Sequence, residues 1–363
     1  MKDFKKKILL ISASGKTGGG PSHIFLLRNI LKNNFDIYLS MPSIQDKYIN
    51  IDFKKYLQIS ERKISPVDIL RLIIFVRKNR INIIHAHGKG AGVIGRIIKI
   101  FLQKPLIYTF HGIHTDCLVR LKKIFYIIYE NLTGWIDDEK IFVSLSELNQ
   151  AKNSKIIIGN NFKIINNATK NNNLKNNNLK NNNKLFGIDN NKKNIISVCR
   201  LVDQKNIFEI FKIARNLNSY NFIVLGDGFL MDNAKRYIKK NNINNVHLLG
   251  NKTDIFKYLK ESNLFLSTSL YEGHPISILE AMSIGMPIVA SKVVGNIDTI
   301  EDNHSGFFYK LGDIKQASKC IKDILNNENL QLKFSINAYE RHRERFSINK
   351  MKNSYISLYK KYL

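Results

Sequence analysis

The stretch YEGHPISILEAMSIGMP, residues 271–287, decides the fold of this chain. Apolar runs at residues 263–268 before it and 288–290 after it predict two short buried strands. Pro275 is suited to the first position of a helix and Gly285 to its end. Because this helix is apolar on nearly every side, it is predicted to lie inside the protein.

Polar residues interrupt that helix at intervals of three. Ser277, Glu280 and Ser283 fall on one stripe, and Glu272 precedes the helix in a loop. A buried carboxylate is costly without a partner, so the stripe is expected to meet another part of the protein or a polar ligand. The helix N-terminus is a seat for phosphate, and carboxylates on both sides of it suit a sugar nucleotide. The alternative is that Glu280 pairs with an internal cation and Glu272 is a solvated loop charge.

Two glutamates separated by seven residues, then Ala-Met, Gly-x-Pro and a short strand, resemble the signature of retaining GT-B glycosyltransferases of family 4 (group 1). The resemblance implies an α/β fold of two Rossmann-like domains that face each other across a cleft. It also implies that Glu280 holds the ribose of a nucleotide and Glu272 the transferred sugar. The donor contacts implied beside them are Gly273, His274, Pro275 and Ile276.

The composition fits a chain of this kind. A length of 363 residues suits two domains, and 44% hydrophobic residues can fill two cores. Three cysteines without a C-x-x-C pair predict neither a disulfide framework nor a zinc motif, so a reducing compartment is expected. The basic N-terminus leads into an apolar run that is too short for a signal peptide, and no run reaches the length of a membrane span.

The formal net charge of +28 raises nucleic acid, an anionic membrane and an anionic substrate as partners. The charge is spread along the chain, without a basic arm or a nucleic-acid-binding motif, so nucleic acid is not expected. A weak affinity for an anionic membrane surface is expected instead. The predicted location is the cytoplasm, with peripheral binding to the inner face of the plasma membrane.

A glycine cluster at residues 15–20 lies between a predicted strand, 8–14, and a predicted helix, 21–33. It lacks the spacing of a Walker A loop and of a G-x-G-x-x-G fingerprint. Glycines there permit the close approach of a ligand to the backbone, although a tight turn would need them equally. The resemblance implies that Gly19 and Gly20 contact the donor.

The first half alternates strands and helices, as in a doubly wound parallel sheet whose ligands bind at the carboxyl ends of the strands. The further elements predicted there are strands at 36–41, 81–87, 106–110, 141–144 and 155–158 and helices at 66–79 and 91–102.

Histidines follow two of these strands. His85, His87, His111 and His114 raise the possibility of zinc, but no Cys or acidic companion stands beside them, and no metal is predicted. The resemblance implies that His111 contacts the donor sugar or the acceptor. It also implies that His87 takes the place of the family's histidine at the end of the other strand. With His23 and His114, these are the acceptor-side candidates. For His85 and His114, a neutral imidazole bonded to loop backbone is an equal alternative.

Residues 119–132 form a predicted helix that carries both basic and large apolar side chains. Two interpretations stay open for it. The helix lies on an anionic membrane, or it covers the sheet in the ordinary way with a solvated basic side.

Residues 166–183 are almost entirely Asn and Lys, a composition that cannot form a core and predicts disorder. We expect a first domain at 1–165, a linker or loop at 166–190, a donor-binding domain at 191–345 and a helix at 346–363. The resemblance implies that this last helix returns to the first domain.

Arg200 and Lys205 follow the predicted strand 194–199, and Gly226 ends the next one. An arginine fork and a mobile lysine charge suit a departing diphosphate. The segment resembles the Arg-Leu-x-x-x-Lys of the same family; two surface cations are the alternative.

Together these observations predict a retaining hexosyl- or N-acetylhexosaminyltransferase that uses a nucleoside diphosphate sugar, expected to be UDP-linked. The acceptor is expected to be a glycan or lipid-linked hydroxyl in the synthesis of cell-surface polysaccharide or lipopolysaccharide. Arg200, Lys205, Glu272 and His111 are the predicted catalytic residues. No Asp-x-Asp occurs, so no metal and no cofactor are expected. An epimerase acting on sugar nucleotides and a silent scaffold are the alternatives.

Overall fold

A computed structural model describes residues 5–15, 18–43, 52–113, 115, 119–174, 183–188 and 191–363. The chain forms two compact units. The first comprises Met1–Asn167 together with Ile348–Leu363, and the second comprises Ala168–Ser347. None of the helices in the described ranges is long and apolar enough to cross a bilayer.

The first unit contains one parallel sheet of seven strands in the order β3-β2-β1-β4-β5-β6-β7. Its strands are β1 (Lys7–Ser12), β2 (Asp36–Met41), β3 (Tyr56–Gln58), β4 (Ile83–His87), β5 (Leu106–Thr109), β6 (Glu139–Phe142) and β7 (Phe162–Ile164). Its helices are α1 (Gly19–Leu31), α2 (Pro66–Asn79), α3 (Lys89–Leu102), α4 (Arg120–Thr133), α5 (Leu145–Asn153) and α13 (Ile348–Lys360).

The second unit contains a parallel sheet of six strands in the order β10-β9-β8-β11-β12-β13. Its strands are β8 (Asn194–Val198), β9 (Asn221–Leu225), β10 (Val246–Gly250), β11 (Leu264–Ser267), β12 (Ile288–Ser291) and β13 (Gly306–Tyr309). Its helices are α6 (Ile207–Arg215), α7 (Met231–Lys240), α8 (Ile255–Lys260), α9 (Ile276–Met282), α10 (Asn296–Thr299), α11 (Ile314–Leu325) and α12 (Glu328–Arg345).

In each sheet the strand order reverses at one place. Strand β1 lies between β2 and β4 in the first sheet, and strand β8 lies between β9 and β11 in the second. The loops that leave adjacent strands at such a point run in opposite directions and open a crevice at the carboxyl ends, where open α/β sheets bind ligands. The predicted α/β class and the Rossmann-like character of both sheets are confirmed.

Local signals explain where several helices begin and end. The Ser65 hydroxyl accepts a hydrogen bond from the amide of Asp68 at the start of α2, and Pro66 takes the first helical position. α9 is buried through Ile278, Leu279, Ala281 and Met282, as predicted. Pro275 lies one position before that helix instead of inside it.

Gly285 ends α9 as predicted, because its φ of +73° lies in the left-handed region. The amide of Met286 donates to the carbonyl of Ala281 at 3.0 Å, which closes the turn. A side chain at position 285 would also crowd the backbone oxygen of Ser335, which lies 3.0 Å from an ideal Cβ.

The prediction of a strand at 155–158 is wrong, because the strand that follows β6 in the first sheet is β7, Phe162–Ile164. The amide of Ile156 donates to the carbonyl of Ala151 at the end of α5, and the amide of Ile157 donates to the side chain of Asn131. These bonds engage the backbone groups that a strand would need.

The Asn/Lys tract differs from the prediction at its start. Asn167, Ala168 and Thr169 are buried, and the Thr169 hydroxyl lies 2.7 Å from Nε2 of His342. The amide of Asn172 donates to the Ser283 hydroxyl at 2.8 Å. Thr169 and Asn172 thus bond to other residues of the second unit, which composition alone does not reveal. The tract from 175 to 182 lies outside the described residues.

Candidate active site

The second unit places an ion pair where its strand order reverses. Lys205 follows β8, Glu272 follows β11, and the Lys205 ammonium contacts Oε1 of Glu272. Both side chains are largely buried, with 14% and 8% of their surface exposed. The interpretation of Glu272 as a solvated loop charge is therefore wrong.

Short polar contacts fix both partners. The hydroxyl of Ser269 donates to Oε1 of Glu272 at 2.7 Å, and the Thr268 hydroxyl donates to the carbonyl of Lys205 at 2.9 Å. The amide of Glu272 donates to the carbonyl of Val294, in the loop after β12. Three loops at the carboxyl edge of this sheet thus hold one buried charge pair in place.

Arg200 is half-buried and also follows β8. The turn that carries it packs tightly on the end of β9, because a Cβ at Gly226 would lie 1.9 Å from the carbonyl oxygen of Cys199. Gly226 is thus required for the approach of these two strand ends.

Burial raises the pKa of the Cys199 thiol to about 11; the charge of Lys205 acts to lower this pKa and the charge of Glu272 to raise it.

The loop between β11 and α9 holds the other predicted donor contacts. Gly273 and Ile276 are half-buried, whereas Pro275 and His274 are buried. Burial, with the nearby charge of Arg341, lowers the pKa of His274 to about 3, so its imidazole is neutral at physiological pH.

The polar stripe of α9 divides into an inner and an outer part. Ser283 is fully buried and its hydroxyl donates to the carbonyl of Glu280, while the side chains of Glu280 and Ser277 are half-buried. The place of Glu280 at a ribose stays a prediction.

The first unit contains a pocket of about 550 Å³ at the point where its own strand order reverses. Ser12 at the end of β1, Ser14 in the loop after it and Gly20 at the start of α1 line the pocket. His87 at the end of β4 and His111 in the loop after β5 line it as well. An ideal Cβ on Gly20 would meet no atom within 4 Å, so the backbone there borders open space. Gly19 begins α1 beside it.

Three histidines meet at this pocket. Ligand nitrogens of His23, His87 and His111 all lie within 4.8 Å of one another, and Nδ1 of His87 lies 3.0 Å from Nε2 of His111. His23 arrives from α1; the sequence named it among the acceptor-side candidates but not among the four histidines considered as a zinc site. Three imidazoles could hold a metal ion, yet the hydrogen bond between two of them already explains their orientation. His114 lies outside the described residues.

His85 has a structural position instead. Its Nδ1 lies 2.7 Å from the hydroxyl of Tyr359 and its Nε2 lies 2.8 Å from the hydroxyl of Thr109. The hydroxyl of Tyr355 lies 3.4 Å from Nε2 of His23. Both tyrosines belong to α13, so the last helix of the chain supports the histidines from beneath the pocket.

Sequence reasoning missed Glu147. This fully buried carboxylate accepts hydrogen bonds from the amides of Gly112 and Val143, and so holds the loop that carries His111. The signal was available, because Ser144 and Glu147 have the spacing of a capping box at the start of α5, and the Ser144 hydroxyl does accept from the Glu147 amide.

Burial of the histidines predicts a pH dependence of stability. Burial lowers the pKa of His23 from 6.5 to about 4 and holds the pKa values of His87 and His111 well below the usual range. The unfolded chain therefore binds more protons between pH 6.5 and 4, and the free energy of unfolding must fall as the pH falls. Replacing His23 by Gln should reduce that slope in urea titrations between pH 7 and 5, by an amount that grows towards about 1.4 kcal/mol per pH unit as the pH approaches 5. An unchanged slope would contradict the assignment.

Part of the chain matches a family of known proteins. Residues 179–341 match the family model described as Glycosyl transferases group 1. The chain is 27% identical over 316 residues to the UDP-Gal:alpha-D-GlcNAc-diphosphoundecaprenol alpha-1,3-galactosyltransferase of Escherichia coli, across 80% of this chain and 79% of that protein. It is 25% identical over 314 residues to the capsular polysaccharide biosynthesis glycosyltransferase CapM of Staphylococcus aureus, across 81% of this chain and 80% of that protein.

A solved structure has the same fold. The crystal structure of Anabaena HepE in complex with UDP-glucose superposes with a TM-score of 0.85 over 98% of this chain and 99% of that one. The two sequences are 18% identical, so this likeness concerns the fold.

Proposed function

We propose that this chain, a group 1 glycosyltransferase with the GT-B fold of two Rossmann-like domains, transfers a sugar from a nucleoside diphosphate sugar to a hydroxyl group with retention of anomeric configuration. The bond from the anomeric carbon to the diphosphate breaks, and a bond to the acceptor oxygen forms. The observation that carries the proposal is the buried Lys205–Glu272 pair at the strand reversal of the second unit.

The second unit is proposed to bind the donor. Arg200 and Lys205 would balance the negative charge that develops on the departing diphosphate, an electrostatic task for which positioned cations suffice. Glu272 orients Lys205 and would also bind hydroxyls of the transferred sugar, and Glu280 would bind the ribose. The remaining contacts with the donor, close to the protein backbone, would be made by Gly226, Gly273, His274, Pro275 and Ile276.

The first unit is proposed to bind the acceptor in the pocket that His87 and His111 line. Neutral imidazoles donate and accept hydrogen bonds, which suits sugar hydroxyls. His23 stands behind these two, and the predicted contacts of Gly19 and Gly20 with the donor would lie at the rim of this pocket.

The relatives suggest the class of substrates. The names of two relatives describe transfer from UDP-galactose to a lipid-linked sugar and a role in capsular polysaccharide synthesis. We therefore propose a UDP-linked hexose or N-acetylhexosamine as donor and a lipid-linked or surface glycan as acceptor. Such an acceptor would place the enzyme at the inner face of the plasma membrane.

The test is a screen of UDP-, GDP- and ADP-linked sugars with the purified chain, with and without a sugar diphosphate-lipid acceptor. We expect acceptor-dependent release of UDP and a product whose anomeric configuration, read by NMR, equals that of the donor. Interconversion of the nucleotide sugar without an acceptor would indicate an epimerase, no turnover of any donor would indicate a binding protein, and an inverted product would refute retention.

The same assay tests the proposal that no metal is needed. The basis for it is the absence of Asp-x-Asp from the sequence and the presence of Arg200 and Lys205 where a metal would otherwise neutralise the diphosphate. Turnover should survive dialysis against EDTA. A loss of turnover that Mg²⁺, Mn²⁺ or Zn²⁺ restores would refute the proposal, and Zn²⁺ rescue would direct attention to His23, His87 and His111.

A further inference from the structure

Helix α4 turns large apolar side chains towards solvent. Leu121, Phe125 and Leu132 are 67%, 69% and 69% exposed, and they recur at intervals of four or seven, so they share one side of the helix. Trp135, in the turn that follows, is 80% exposed. We call this surface the α4 face; its members are Leu121, Ile124, Phe125, Ile128, Leu132 and Trp135.

The opposite side of α4 carries the polar anchors. Glu130 is buried and accepts a hydrogen bond from Arg96 at 2.7 Å, and the Thr133 hydroxyl accepts one from the same guanidinium at 2.9 Å. The ammonium of Lys89 stands 4.1 Å from the ring centre of Tyr126. A sheet-covering helix ordinarily buries its apolar side. Here Tyr126 and Ile127 pack against the core of the first unit beside the buried charge network, so α4 covers the sheet with that side while the stripe of Leu121, Phe125 and Leu132 faces solvent.

The charge around the α4 face selects the occupant. Arg120 and Lys122 are exposed on the same helix, whereas its one acidic residue, Glu130, is buried. The chain as a whole carries +28. An occupant must therefore be apolar where it meets the stripe and anionic beside it. Tryptophan and lysine at the edges of an apolar surface are typical of a membrane interface.

We propose that the α4 face docks on an anionic lipid bilayer, with the helix lying in the plane of the membrane surface. The apolar stripe would enter the boundary between headgroups and acyl chains, and Arg120 and Lys122 would contact lipid phosphates. The proposal rests on the proposed function in one respect, because a lipid-linked acceptor would be presented at a bilayer.

Trp135 is the only tryptophan of the chain and reports directly on this surface. We expect its fluorescence to shift to the blue on addition of vesicles of phosphatidylcholine with one-third phosphatidylglycerol, and the protein to sediment with them. Phe125→Glu/Leu132→Glu should weaken the partition coefficient by at least about tenfold. Leu332→Glu is the matched control, because Leu332 is 50% exposed on α12 of the second unit. Arg120→Glu/Lys122→Glu should abolish the preference for anionic vesicles, and added salt should weaken binding.

Three results would overturn the proposal: no binding to anionic vesicles, equal binding to pure phosphatidylcholine, or equal binding by the wild type and the Phe125/Leu132 double variant. A dimer in sedimentation velocity that the double variant dissociates, without vesicle binding, would assign the α4 face to a second copy of the chain. The vesicle assay contains neither donor nor acceptor. Its failure thus leaves transfer to a water-soluble acceptor intact, whereas failure of the proposed function would abolish transfer and leave vesicle binding unchanged.

Discussion

Replacement of Lys205 by Ala should lower kcat by about 10²–10³, the cost of removing one positioned charge from a developing oxyanion. It should also destabilise the second unit by about 3 kcal/mol, since the 8% exposed carboxylate of Glu272 loses its cation. Turnover is measured with saturating donor, and stability by urea unfolding.

A second substitution separates the two effects. In Lys205→Ala/Glu272→Gln the buried charge is gone, so most of the lost stability should return while turnover stays low. Lys212→Ala on the exposed side of α6 is the control and should change neither quantity. Near-normal turnover in Lys205→Ala would refute the assignment of Lys205 to the leaving diphosphate.

Replacement of Arg96 by Ala should destabilise the first unit by about 3–5 kcal/mol, on the order of 10 °C in Tm. The Arg96 guanidinium is 2% exposed and donates to both carboxylate oxygens of Asp137, at 2.9 and 2.7 Å, and to Glu130. Without it, Glu130 stays buried without its cation, and Asp137 keeps only Lys140, whose ammonium lies 4.0 Å from Oδ2. Calorimetry of the variant against Arg77→Ala, an exposed arginine of α2, measures the effect.

The pH dependence of this loss identifies its cause. Burial raises the pKa of Glu130 even in the presence of Arg96, whose charge lowers it. Removing Arg96 should raise the folded-state pKa of this carboxyl further, so the folded variant binds more protons than the unfolded chain near neutral pH. Its stability then falls as the pH rises, and the deficit should be smaller at pH 5 than at pH 8. A deficit independent of pH would indicate lost packing instead.

Local patterns predicted much of the fold. The strand at Asp36–Met41 and the helix at Pro66–Asn79 have the predicted bounds, because apolar periodicity and caps act over a few residues. Elements failed where distant partners compete, as at residues 155–158, whose amides bond to α5 and Asn131.

The site divides in the same way. Residue types after strand ends predicted that Arg200, Lys205, His87 and His111 would lie at carboxyl edges, since parallel strands bring their ends to one edge. The sequence named His23 with His87 and His111 on the acceptor side. It did not indicate that Lys205 pairs with Glu272, 67 positions away, or that the ligand nitrogens of the three histidines lie within 4.8 Å of one another.

By itself, the sequence determined two parallel α/β units and the family signature that points to glycosyl transfer, because strand and helix periods, caps and motifs are properties of neighbouring residues. Only the tertiary structure decided which charges are buried together and which side of α4 meets solvent. A helix with apolar residues on one side and Glu130 on the other is expected to bury the apolar side. Here Arg96 from α3, together with Asp137 just after α4, supplies the buried network on the Glu130 side, and the stripe of Leu121, Phe125 and Leu132 is left exposed.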